Sequence, residues 1–154
     1  MLNGALLVAL LCFIWGNSLL SREQSSQASS TVLEIVKPIL ETVVGRGNVT
    51  EHLVRKLAHF TEFGALGVLS VSLLALSGAG RGRRLAFALP FGLACAAVDE
   101  GIQFFSDRGN QLSDVALDFT GVLTGALLMW LVILALERLR RRRSRRYSQS
   151  GKAA

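Results

Sequence analysis

LAFALPFGLACAAVDEGIQFF, residues 85–105, is the stretch that decides the fold. Residues 85–98 carry no charge. The whole stretch has about the twenty-residue length that an α-helix needs to cross a hydrocarbon core. Yet it ends on Asp99, Glu100 and Gln103. An ionisable side chain inside a membrane span costs roughly 2.5–3.5 kcal/mol on insertion scales, so such groups must be compensated by partners or serve a purpose. Asp99 and Gln103 stand four apart on one helix face, and Glu100 reaches Gln103 at a spacing of three. The reading is a buried helix whose last turn opens onto a polar pocket.

Working outward, three more apolar runs of similar length occupy residues 2–20, 57–76 and 115–136. With 51% hydrophobic residues over 154 positions and a mean hydropathy of +0.43, the composition is too apolar for an ordinary soluble domain. Because lipid offers no hydrogen-bond partners to the backbone, spans of this kind must be helical. The expected architecture is therefore an all-α integral membrane four-helix bundle over residues 1–137, followed by a basic tail over residues 138–154. The net charge of +6 is uneven: Arg81, Arg83 and Arg84 fill the short turn between the second and third spans, and Arg138 to Arg146 follow the fourth. Positive residues flanking spans stay in the cytoplasm, which predicts an N-in/C-in, multi-pass protein of the cytoplasmic membrane. An arginine run is also a phosphate-binding footprint, but its place directly behind a span favours anionic lipid over nucleic acid. Met1 to Asn3 supplies no basic leader and no A-x-A site precedes Ser21, so the first helix reads as retained rather than as a signal peptide. Cys12 and Cys95 fall mid-helix, where a thiol is a small apolar filler, and neither a disulfide nor a metal site is read from them.

After the first helix, residues 21–30 are serine- and glutamine-rich and read as a loop. Thr31 and Glu34 then form a capping box in front of Val32, Ile35, Val36, Ile39, Leu40 and Val43, with Gly45 as a stop. This predicts a short amphipathic helix in the first extracytoplasmic loop, kinked by Pro38 and suited to the bilayer surface or to capping the bundle.

In this topology the polar ends of all four spans meet in the outer leaflet. Asn17 closes the first and Asp99 to Gln103 the third. His59 and Glu62 open the second, and Asp114 and Asp118 the fourth. Thr50 caps the second helix, placing Arg55, His59 and Glu62 on one face with Lys56 beside them. Asp114, Asp118, Gly121 and Gly125 form a stripe whose glycines admit another helix, read as packing within the chain while a homo-oligomer stays open. The ligand-binding set is thus Arg55, Lys56, His59, Glu62, Asp99, Glu100, Gln103, Arg108, Asp114 and Asp118. With Asp107 added, the acids outnumber Arg55, Lys56 and Arg108, so mutual neutralisation is not the whole account.

Three kinds of chemistry fit these residue types. A polar headgroup of a membrane lipid or lipid-linked envelope molecule would meet the bases through its phosphate and the acids through amine or sugar hydroxyls. A membrane enzyme acting on a lipid-linked phosphate or glycan would use His59 with Glu62, Asp99 or Glu100 as acid and base. A divalent cation would suit one histidine among carboxylates, although H-x-x-E is a weak metal pattern. No serine or cysteine nucleophile stands beside a base, so no catalytic residue, metal ligand or cofactor is assigned. Headgroup binding without chemistry is the preferred reading, and a small oligomeric transporter is a further alternative.

Three stretches carry a resemblance: FIWGNSLLSREQSSQASS at 13–30, RKLAHFTEFGALG at 55–67 and DEGIQFFSDRGNQLSDVALDFTGVLTG at 99–125. Their order and spacing resemble the VanZ-like family of bacterial membrane proteins, from about Leu6 to Leu136. The matching polar positions are Lys56, His59, Glu62, Asp99, Glu100, Gln103, Arg108, Asp114 and Asp118, with Gly121 and Gly125. Ile102 stands where many relatives carry histidine, Ser106 and Asp107 replace a Pro-Gly, and Asp118 replaces an asparagine. What the resemblance implies is an association with low-level teicoplanin resistance, with no assigned biochemical activity.

Overall fold

The computed structural model describes residues 2–45, 48–106 and 112–150; the side chains of 44, 112 and 144–150 lie outside that description. Its elements are all helical: α1 (Leu2–Ser18), α2 (Arg22–Val44), α3 (Glu51–Leu76), α4 (Arg81–Phe105) and α5 (Leu112–Ser150). Three helices, over Glu51–Leu76, Arg81–Phe105 and Ser113–Arg143, are long and apolar enough to cross a membrane. The expected first span is a 17-residue helix, about 25 Å at 1.5 Å per residue, and is shorter than the others. It turns by 113° into α2, and the pair together has the apolar length of one broken span.

The largest departure from the sequence reading is α2. Residues 21–30 are not a loop: Ser21 caps a 23-residue helix that starts nine residues before Thr31 and runs through Pro38. Ser21 Oγ accepts from the Gln24 amide at 3.3 Å, and the Gln24 side chain accepts from the Ser21 amide at 3.1 Å. This reciprocal box satisfies two donors that a helix start otherwise leaves bare. Polar side chains that normally disfavour helix interiors are absorbed locally, Ser30 and Thr31 both donating to the Gln27 carbonyl. Ser25 is buried, and Ser26 donates to Glu51 at 2.7 Å, pinning α2 to the first turn of α3. Along α2, Val32, Ile35, Ile39 and Val43 form an exposed apolar stripe.

A second departure concerns Arg81, Arg83 and Arg84, which form the opening turn of α4 rather than the connecting turn. The connection is 77–80. The Ala79 amide bonds the Leu74 carbonyl at 2.9 Å and the Gly78 amide the Ala75 carbonyl at 3.1 Å, while Gly78 sits at φ +80°. This is a Schellman ending, which requires the left-handed conformation at that glycine. The first of these arginines pairs with Glu137 on α5 at 2.7 Å, and Arg84 pairs with it at 3.0 Å. Trp130 Nε1 donates to the Arg81 carbonyl at 3.0 Å, closing this end of the α4–α5 contact. Helix α5 runs from the apolar segment into the arginine run without a break.

The core lies among α1, α3, α4 and α5: Ile14, Phe63, Leu66, Cys95, Ala96 and Val122 form one buried cluster, and Val71, Ala88 and Ala126 a second. Both sides of the α3–α5 contact carry glycine. A Cβ on Gly125 would run into the Gly64 carbonyl, and one on Gly67 into that of Val122. The Gly121–Gly125 stripe therefore serves packing within the chain, with backbone against backbone. The thiols of Cys12, exposed, and Cys95, buried, are both free.

Candidate functional site

Four of the helices bring their polar ends to one place. Ser18 Oγ, in the last turn of α1, donates to Asp99 Oδ1 on α4 at 2.7 Å. Gln103, one turn along the same face, donates to Asp99 Oδ2 at 2.8 Å. His59 on α3 lies between α4 and α5, its Nδ1 3.7 Å from Asp99 Oδ2 and 3.5 Å from Asp118 Oδ1. It is also stacked on Phe63, with ring centroids 6.5 Å apart. Lys56, on the neighbouring turn of α3, pairs with Asp114 on α5 at 3.5 Å. Asn17 Nδ2 donates to Glu62 Oε1 at 3.5 Å, so α1 takes part through its Asn-Ser pair.

Around this cluster lie two cavities. The larger, about 400 Å³, is walled by Arg55, Lys56, His59, Glu100, Gln103 and Asp114, together with Arg22, Ser26, His52 and Leu117. The smaller, about 280 Å³, is more apolar and shares Arg55 and His59 with the first while adding Glu62 and Asn17. Asp99 and Asp118 are fully buried beneath, at 0% and 1% exposure, and Glu100 is buried at 2%. A buried polar group without a partner costs about 1–3 kcal/mol, more when charged. Several such atoms are present: both oxygens of Asp118, one oxygen of Glu100 and Arg55 Nε have no hydrogen-bond partner among the described residues.

Of the ten residues singled out from sequence, nine converge: six on the larger cavity, Glu62 on the smaller, and Asp99 and Asp118 under its floor. Arg108 and the neighbouring Asp107 lie outside the described residues. Four contributors were not in that set. Arg22 and Ser26 reach the cavity because α2 turns back over the start of α3, a tertiary event with no local signature. His52 had a legible one, lying seven residues before His59 on the same face. Ser18 stands beside Asn17, whose polar character at the end of α1 was the available clue. With Arg22 and His52 added, the cavity wall carries bases beside Glu100 and Asp114 rather than a simple excess of acid.

Such a set defines a class: a helical membrane protein with a polar cavity, lined by both acids and bases, at one end of its spans. The chain matches the VanZ/LLP1 family over residues 4–134 and belongs to it. No curated protein and no solved structure matches the chain.

Proposed function

We propose that the larger cavity faces the outside of the cytoplasmic membrane and binds the polar headgroup of a phosphate-bearing envelope molecule, without chemistry on it. The observation that carries this reading is one cavity wall that sets Arg22, His52, Arg55 and Lys56, the last paired with Asp114, beside Glu100 and Gln103. Guanidinium and ammonium groups bind phosphate oxygens by charge-assisted hydrogen bonds, and carboxylates accept from amine or sugar hydroxyls. The unpartnered Arg55 Nε supports it, since an anionic ligand would supply the missing acceptor. The outward orientation follows from charge: the arginines at the start of α4 and in the run after residue 137 mark the opposite end as cytoplasmic. In this arrangement α1 is a fourth span, giving an N-in/C-in bundle, and α2 lies on the outer surface with its apolar stripe toward lipid. An outward pocket agrees with the family's association with teicoplanin resistance, since glycopeptides act on cell-wall precursors beyond that membrane.

The test is native mass spectrometry of protein extracted from its own membranes. The expected result is a co-purifying phosphate-containing lipid whose occupancy falls when Arg55→Gln and Lys56→Gln are combined. An empty protein, or one whose bound lipid is indifferent to both substitutions, contradicts the reading. One arrangement favours an enzyme acting on a lipid-linked phosphate or glycan as the second reading: His59 flanked by Asp99 and Asp118, as an imidazole base is flanked by an orienting carboxylate. In that case His59→Gln would abolish turnover of the bound lipid while leaving its occupancy intact.

A further inference from the structure

His59, Asp99 and Asp118 come from three different helices, and one donor atom from each lies within 4.8 Å of the other two. The separations are informative. His59 Nδ1 stands 3.5 Å from one carboxylate and 3.7 Å from the other. N–H···O hydrogen bonds run about 2.7–3.2 Å, so neither contact is a good one. Donors held about 2.0–2.2 Å from a common centre at tetrahedral angles are instead about 3.3–3.6 Å apart. Two edges of the triangle, at 3.5 and 3.7 Å, are close to that spacing, and the third, between the two carboxylates, lies within 4.8 Å. Ser18 and Gln103 donate to the two oxygens of Asp99 and hold that carboxylate in orientation, as hydrogen bonds to metal-ligating carboxylates do. Asp118 is at 1% exposure, neither of its oxygens accepts a hydrogen bond of good length from the described residues, and its ion-pair contact is with the His59 imidazole at 3.5 Å.

We propose that His59, Asp99 and Asp118 hold a divalent cation of the zinc or manganese type beneath the cavity. One imidazole with two carboxylates is a hard-to-borderline donor set, which suits these ions better than a soft one such as Cu(I). Three protein ligands leave at least one position open, as sites that bind an exogenous group do. Of the three residues, His59 lines both cavities, so a headgroup phosphate would approach the ion from the histidine side. The ion would explain how Asp99, Asp118 and Glu100 are tolerated together in the apolar part of the bundle. The H-x-x-E pattern is not the ligand set, because Glu62 points to Asn17 on the other cavity.

This proposal deepens the headgroup reading but is tested without any lipid. Full-length protein carrying no histidine tag is purified in detergent without chelator, its metal content is measured by plasma mass spectrometry, and stripped protein is titrated with Zn²⁺ and with Mn²⁺. One ion per chain is expected, with binding lost in Asp118→Asn and His59→Gln and kept in Glu137→Gln at the far end of α5. Ser18→Ala, which removes only the hydrogen bond that orients Asp99, is expected to weaken affinity about 10–100-fold. A parallel unfolding series separates misfolding from lost binding: bound ion raises the melting point of the native chain and leaves that of Asp118→Asn unmoved. Native protein that neither retains nor binds either ion overturns the proposal whatever the variants do. Binding undiminished in both Asp118→Asn and His59→Gln overturns it too, by placing the ion elsewhere. A metal site confirmed in protein that carries no lipid would leave the cation standing and sink the headgroup reading alone.

Discussion

Gly125→Ala is the sharpest probe of how the fold builds the site. An ideal Cβ at position 125 would fall 2.7 Å from the Gly64 carbonyl carbon and 3.0 Å from its Cα, both backbone atoms of α3 that no rotamer change can move. Ordinary van der Waals contact begins near 3.4 Å. Helices α3 and α5 must therefore part by roughly 0.7 Å or more, an overpacking that costs about 1–3 kcal/mol in a well-packed core. His59 and Asp118 face one another across the same pair of helices at 3.5 Å, so separation also loosens the polar cluster. Gly101→Ala is the matched control, since a Cβ there meets nothing within 4 Å although it lies beside Glu100. Unfolding in detergent, followed by circular dichroism against added sodium dodecyl sulfate, should show Gly125→Ala destabilised by that amount and Gly101→Ala near native. Equal stability of the two variants would refute the close-packing argument, and with it the claim that glycine spacing sets the geometry of the site.

Other outcomes follow from single contacts. Ser18→Ala should cost about 1.5–3 kcal/mol of unfolding free energy, because it removes a buried hydrogen bond to a carboxylate; the same denaturation series reads it. Replacing Ser21 with alanine breaks the capping box of α2, and should fray residues 22–30 at a cost of about 0.5–2 kcal/mol, visible as faster amide exchange there and not in α4. Glu137→Gln removes the negative charge and one of the two acceptor oxygens that serve Arg81 and Arg84, and should lower abundance or stability while leaving lipid occupancy at the cavity unchanged. Raising the salt concentration should weaken binding of a soluble phosphate headgroup, and should do so less in Lys56→Gln than in the native protein, since one screened contact is already gone.

Much of this arrangement was legible in the residues, and the reason is periodicity. Apolar runs long enough to span mark α3, α4 and α5, and spacings of three, four and seven put His59, Glu62, Asp99, Gln103, Asp114 and Asp118 on inward faces. Convergence itself was inferable because charges in spans must find each other. What escaped was set by tertiary structure. Residues 21–30 lack apolar periodicity, so nothing local signals a helix except Ser21 and Gln24. The tie from Ser26 to Glu51 that holds it in place joins two helices. The same turn delivers Arg22 to the cavity, and His52, which joins it there, lies ahead of the apolar run in the first turn of α3. Nor could spacing alone select Asp99 and Asp118 over Glu62 as the companions of His59; that choice depends on how α4 and α5 are rotated against α3.

The central claim is that the polar cavity opens to the exterior, and thiol labelling tests it most directly. In a background lacking Cys12 and Cys95, Ser29→Cys places a thiol on the wall of the smaller cavity and Gly80→Cys one at the opposite end, ahead of α4. The account predicts that a membrane-impermeant maleimide modifies Ser29→Cys in intact cells and Gly80→Cys only after lysis. Modification of Gly80→Cys in intact cells, with Ser29→Cys protected until lysis, would contradict it.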